Sequence, residues 1–109
     1  MKTLILAVLI LVGISPLARA QWGIVFDSHR SLSSAQYERR QIRNRPNNVI
    51  DINIYRRRNR YNLLMEFRSE EQANQAVEDP MFNNSSAYVV DIPIWCSLLE
   101  DMGEFNKCD

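Results

Sequence analysis

The sequence predicts an α+β sandwich of order β-α-β-β-α-β, and three observations carry that prediction. Residues 49–55 and 61–67 alternate apolar with polar side chains at a period of two, the pattern of a strand with one buried face. Two segments, opening at Ser31 and Ser69, place apolar residues at helical spacing behind a good N-cap. A short apolar run, β-branched and aromatic, stands before the first of these, and another stands after the second.

Each element follows in order. Trp22-Gly23-Ile24-Val25-Phe26 is the first strand. The first helix runs from Ser31 to about Arg43, with Leu32, Ala35 and Ile42 on one side, and Arg45-Pro46-Asn47-Asn48 stops it. Val49–Tyr55 is the second strand, in which Ile50, Ile52 and Ile54 alternate with Asp51, Asn53 and Tyr55. A basic connection, residues 56–60, leads to the third strand, Tyr61–Phe67, so that the two form a hairpin. Tyr61, Leu63, Met65 and Phe67 share one side of it.

Ser69-Glu70-Glu71-Gln72 is a capping box, with two acids placed well for the helix dipole. Ala73, Ala76 and Val77 face inward, and the second helix ends at Asp79-Pro80. Tyr88–Trp95 is the fourth strand, and Ser97–Asp109 is expected to be a short helical tail. A faint repeat supports two related halves: Arg30-Ser31 followed by Ala35 matches Arg68-Ser69 followed by Ala73, at an offset of 38. This is the ferredoxin-like pattern, a four-stranded antiparallel sheet with two helices on one face and the other face open.

The first twenty residues read as a secretory signal. Lys2 precedes an uncharged run from Leu4 to Ile14, Pro16 breaks it, and Ala18-Arg19-Ala20 offers a cleavage site. The run is shorter than the roughly 20 apolar residues that a spanning helix needs; an uncleaved anchor is the alternative. Residues 21–96 then make one domain with a tail at 97–109, placed in the periplasm or secreted, with no stable membrane insertion after cleavage. Cys96 and Cys108 are the only cysteines. An exported chain permits them to pair, which would tie the tail back; two free thiols or a bridge between chains are the other arrangements.

Charge is uneven along the domain. Residues 21–68 hold ten Arg and four acids, and residues 69–109 hold one Lys and nine acids. Two solvated faces account for this without a dedicated anion site.

No catalytic constellation stands out, so an enzyme is not expected. His29 reads as a polar loop residue ahead of the first helix. Two cysteines and one histidine far apart do not suggest a metal site, and nothing implies a cofactor. Asp51, Glu66 and Asp91 are placed to share the open sheet face, as solvated acids or as a carboxylate pair. Arg56, Arg57, Arg58 and Arg60 form the sharpest local feature. Guanidinium forks bind carboxylates and phosphates, which puts Arg57 among the candidate ligand contacts; a charged hairpin tip that blocks aggregation is the plainer account. Nucleic acid is not expected as a partner, because the leader directs the chain outward and the third strand lacks an aromatic RNA-binding string.

The segment Tyr61-Asn62-Leu63-Leu64-Met65-Glu66-Phe67-Arg68-Ser69-Glu70-Glu71-Gln72-Ala73 resembles the Y-R-V-x-V-G-P-F-x-S-x-E-E-A stretch of SPOR domains, small peptidoglycan-binding modules. The aromatic-led first strand and the Ser-x-x-x-Ala opening of the first helix are similar too. The chain departs from the pattern at Ile24, where the family often has Gln, and near Glu66, where it has Gly. The resemblance implies a non-catalytic cell-envelope module whose open sheet face binds glycan strands. It implies contacts from Asp51, Asn53, Tyr55, Asn62, Glu66 and Asp91. The alternative is a module or inhibitor that takes an envelope or secreted protein on that face or on an edge strand.

Overall fold

A computed structural model describes residues 20–83 and 85–109. The expected secretory signal, apart from Ala20, and Asn84 lie outside the described residues. Among the described residues no helix is long and apolar enough to cross a membrane.

Among the described residues the fold is α+β, with a mixed six-stranded sheet and three α-helices. In chain order the elements are β1 (Trp22–His29), α1 (Leu32–Gln41), β2 (Asp51–Arg57), β3 (Arg60–Phe67), α2 (Glu70–Ala76), β4 (Tyr88–Asp91), α3 (Ile92–Trp95), β5 (Glu100–Asp101) and β6 (Asn106–Lys107). The sheet order is β4-β1-β3-β2-β6-β5. The contacts from β4 through β2 are antiparallel, whereas β6 runs parallel to β2.

The expected hairpin is present, with Asp51 opposite Glu66 and Tyr55 opposite Asn62. Its turn is tighter than expected. Arg56, Arg57 and Arg60 belong to the strands, and only Arg58 and Asn59 turn the chain, both with positive φ (55° and 64°). Two left-handed residues form the kind of turn whose twist matches that of the flanking strands.

The repeat has a structural counterpart. Ser31 Oγ accepts from Ser34 N at 3.2 Å and Ser69 Oγ from Gln72 N at 3.1 Å, and Ala35 and Ala73 are both fully buried. Only half of the second capping box forms, because the buried Gln72 Oε1 has no hydrogen-bond partner.

Several expectations need correction. The sheet has six strands rather than four, and the tail is not helical: residues 97–109 supply β5 and β6, with Gly103 (φ 93°) between them. The fourth strand stops at Asp91, because Pro93 sits in the first turn of α3, where its fixed φ suits a helix start. β1 runs on to His29 through a β-bulge between Val25 and Asp27, so His29 is a strand residue.

The second sheet face is not fully open either. The helix-covered face buries Ile24, Ile52, Ile54, Leu63, Met65 and Phe67 against Ala35, Ala73, Ala76 and Phe82. On the opposite face Val25, Tyr55, Leu64 and Val90 pack with Ile92, Cys96 and Cys108, with Trp95 and Leu99 at the margin. Gly23 permits this second layer: a Cβ there would stand 3.0 Å from Leu64 Cδ2 and 3.3 Å from Ile92 Cδ1.

Candidate functional site

Cys96 and Cys108 form a disulfide, with Cα atoms 4.8 Å apart. It fastens the tail across the second face. Cys108 N donates to Arg56 O at 2.9 Å, and Ile92 N donates to Gln21 O at 2.7 Å. The tail covers only part of that face and leaves a cleft of about 410 Å³.

The cleft floor comes from the β2–β3 hairpin and holds Asp51, Asn53, Tyr55 and Glu66. The period of two puts Asp51, Asn53 and Glu66 on this face, since Ile52, Ile54 and Met65 take the other. Ile50 forms one rim; Ile92, Pro93, Cys96, Ser97 and Leu99 form the wall; Asn106 closes one end.

Glu66 is the centre of the floor and is only 7 % exposed. Its Oε2 accepts from Tyr55 OH at 2.6 Å and from Asn53 Nδ2 at 3.1 Å. Hydrogen bonds of this kind keep a buried carboxyl group satisfied. Asp51 lies across the ladder from Glu66, with Oδ1 accepting from Ile52 N at 2.8 Å. Among the described residues no Lys, Arg or His lines the cleft, and its floor presents two carboxyl groups.

Of the seven expected contacts, the structure brings together four: Asp51, Asn53, Tyr55 and Glu66. Tyr55 does not play the part expected of it. At 4 % exposure, with its ring 6.0 Å from Trp95 in an edge-on pair, it is a buried donor to Glu66 and offers no platform to a ligand. The other three lie elsewhere. Asn62 Nδ2 donates to Tyr55 O and Arg60 O, bracing the hairpin end. Arg57 is taken up by α3: its Nε donates to Trp95 O at 2.8 Å and its guanidinium lies 5.0 Å from the Trp95 ring centre. Asp91 pairs with Trp22, which packs on the helix-side core, and so falls on the opposite face from Asp51 and Glu66. Ile24 is also buried on the helix side, away from the cleft.

The wall residues went unnoticed in the sequence. Their signal was the proline in Ile92-Pro93-Ile94-Trp95, which ends the strand and turns the chain over the sheet.

His29 is not isolated. Its Nε2 lies 2.5 Å from Glu38 Oε1, and Asp27 stands beside them. Burial, and then the neighbouring Asp27, hold the Glu38 carboxyl above its ordinary range. The hydrogen bond with Glu38 holds Asp27 below its own.

Comparison with family models, with curated proteins and with solved structures found no match to this chain.

Proposed function

We propose that the protein is an exported, non-catalytic binding module whose cleft takes a peptide segment of a protein partner, with a basic side chain or amine set on the acidic floor. One observation carries this reading: Asp51 and Glu66 share a cleft lined, among the described residues, by no basic side chain. A ligand that brings a positive charge supplies what the floor lacks. The rim and wall, from Ile50, Ile92, Pro93 and Leu99, suit the aliphatic stem of a lysine or arginine. Ile94 and Leu98, 78 % and 72 % exposed, extend apolar surface on the wall segment. The disulfide and the leader-like first twenty residues support an oxidising, extracytoplasmic setting.

Strand addition to β2 is disfavoured, since β6 already occupies Tyr55 and Arg56. The cleft is therefore preferred to the edge as the site of contact.

A glycan ligand is the second reading. Its support is the order β4-β1-β3-β2 with α1 and α2 on one face, which we read as a ferredoxin-like unit of the kind the SPOR resemblance implies, enlarged by the tail. Against it stand the burial of Tyr55 and the charge of the floor, which repels the carboxylates of peptidoglycan stripped of its stem peptides.

The test is an NMR titration of the purified protein with short peptides that carry one lysine, or glutamate in its place. The lysine peptides are expected to shift the Asn53 side-chain amide and the Ser97 amide, and the glutamate peptides to leave both unmoved. Asp51→Asn and Glu66→Gln should each weaken binding by about tenfold, the effect of losing one charged hydrogen bond worth about 1.4 kcal/mol. In a parallel arm the protein is sedimented with peptidoglycan sacculi, intact and stripped. Pelleting that is stronger on stripped sacculi and unchanged by Asp51→Asn would overturn the peptide reading in favour of the glycan one.

A further inference from the structure

We propose that Asp27, His29 and Glu38 form a binding site for a divalent transition-metal ion, with zinc as the first candidate. One donor atom from each, His29 Nε2 and an oxygen of each carboxylate, lies within 4.8 Å of the other two. His29 Nε2 stands 2.5 Å from Glu38 Oε1 and 3.8 Å from Asp27 Oδ2. Around a tetrahedral zinc with bonds of about 2.1 Å, neighbouring ligand atoms sit about 3.4 Å apart. These two separations bracket that distance and no pair in the set exceeds 4.8 Å, so side-chain adjustments of about 1–1.5 Å are enough to seat the ion.

The convergence depends on the bulge in β1. Trp22, Ile24 and Phe26 point to the helix-covered core, and strict alternation would send residues 27 and 29 to the other face. The bulge instead sets Asp27 opposite Leu63 and His29 opposite Tyr61, and both partners belong to the helix side. Glu38 meets them there from α1, one turn beyond the fully buried Ala35. Two ligands thus come from a central strand and the third from a packed helix, which holds the set on rigid elements. Asp27 Oδ1 accepts from Ser28 N at 2.8 Å, orienting the carboxylate whose Oδ2 is the atom near His29.

The donor set selects the kind of ion. One imidazole nitrogen with two carboxylate oxygens suits zinc and its transition-metal neighbours, whereas calcium and magnesium favour all-oxygen shells. The side chains of Asp27, His29 and Glu38 are 44 %, 23 % and 31 % exposed, so an ion can reach them from solvent. Three protein ligands leave a fourth position for water. Arg60 is the charged neighbour that opposes binding; its guanidinium is held by Ser28 Oγ at 2.7 Å and Ser28 O at 3.1 Å.

The experiment is a titration of untagged protein with zinc chloride, followed by calorimetry and by NMR of the His29 ring. His29 is the only histidine in the chain, and both cysteines are locked in the disulfide, so no second imidazole or thiol competes. One-to-one binding that shifts the ring resonances is expected. Loss of a ligand should weaken it by at least the roughly tenfold that loss of a supporting partner costs. His29→Ala and the near-isosteric Glu38→Gln are both tested, each checked for folding by circular dichroism. Absence of binding at millimolar zinc, binding that leaves the ring resonances unmoved, or wild-type affinity in a folded variant would each overturn the site. So would tighter binding of calcium or magnesium than of zinc.

Discussion

On the face beneath α1 and α2, the sheet presents an unbroken apolar layer from Ile24 and Ile52 through Phe67, and two small helix residues, Ala35 and Ala73, let the helices sit close. On the opposite face the covering is the short α3, Cys96 and the thirteen-residue tail, and beneath them lie a buried carboxylate, a tyrosine hydroxyl and a cleft. The centre of the first face is closed by hydrophobic burial, with Asp27, His29 and Glu38 grouped beside it. The second needs a covalent bond, because a short irregular segment buries little apolar area and leaves polar groups behind. The cleft accordingly forms on the face that is harder to seal.

Three substitutions sharpen that contrast, and the largest effect belongs to the helix-covered face. Phe67→Ala removes a fully buried ring and is expected to cost about 3–5 kcal/mol by denaturant unfolding. If the loss is below 1.5 kcal/mol, as for a volume-conserving change, that face is less tightly packed than described here. Next comes the double change Cys96→Ser with Cys108→Ser. Opening a bond between residues 12 apart should cost up to about 3 kcal/mol and free the tail, with matching changes in hydrogen exchange at Ile92 and Cys108 amides. Unchanged protection there would mean that the wall holds without its bridge. Tyr55→Phe is the smallest of the three. It keeps the ring against Trp95 and deletes one donor to Glu66, for an expected loss of about 1.5 kcal/mol. A neutral result would show that Asn53 alone satisfies the carboxylate.

How much of this was readable beforehand also differs between the faces. The alternation in Asp51–Tyr55 and Tyr61–Phe67 assigned the helix-covered side of the hairpin, though Ile50, expected there too, lies exposed at the cleft rim; Ser31 and Ser69 marked the starts of α1 and α2, because these signals are local and periodic. The second face was harder to read. Strands of two residues, such as Glu100–Asp101 and Asn106–Lys107, have no period to detect. Tyr55 alternates correctly with Ile54, yet it is buried by residues some forty positions away. The bulge had the same effect at the start of the chain: it carries the strand past Phe26 to His29, which was expected in a loop, and nothing in Val25-Phe26-Asp27 announces it. Four of the seven expected contacts line the cleft because they follow from the hairpin pattern, and Asn62, Arg57 and Asp91 were displaced by contacts that the pattern does not contain.

The parallel pairing of β6 with β2 bears on what happens to this chain before oxidation. The outermost strands of the sheet, β4 and β5, have four and two residues, too short to template a neighbour well. β2 has seven residues, rich in isoleucine, and in the reduced chain nothing covalent holds β6 against its Tyr55 and Arg56. An unoxidised molecule therefore exposes more of this border to its own kind, and bond formation covers the end at Tyr55 and Arg56. Yield from a reducing cytoplasm should consequently be limited by self-association, and the same disulfide that shapes the cleft acts as a safeguard on the way to the mature fold.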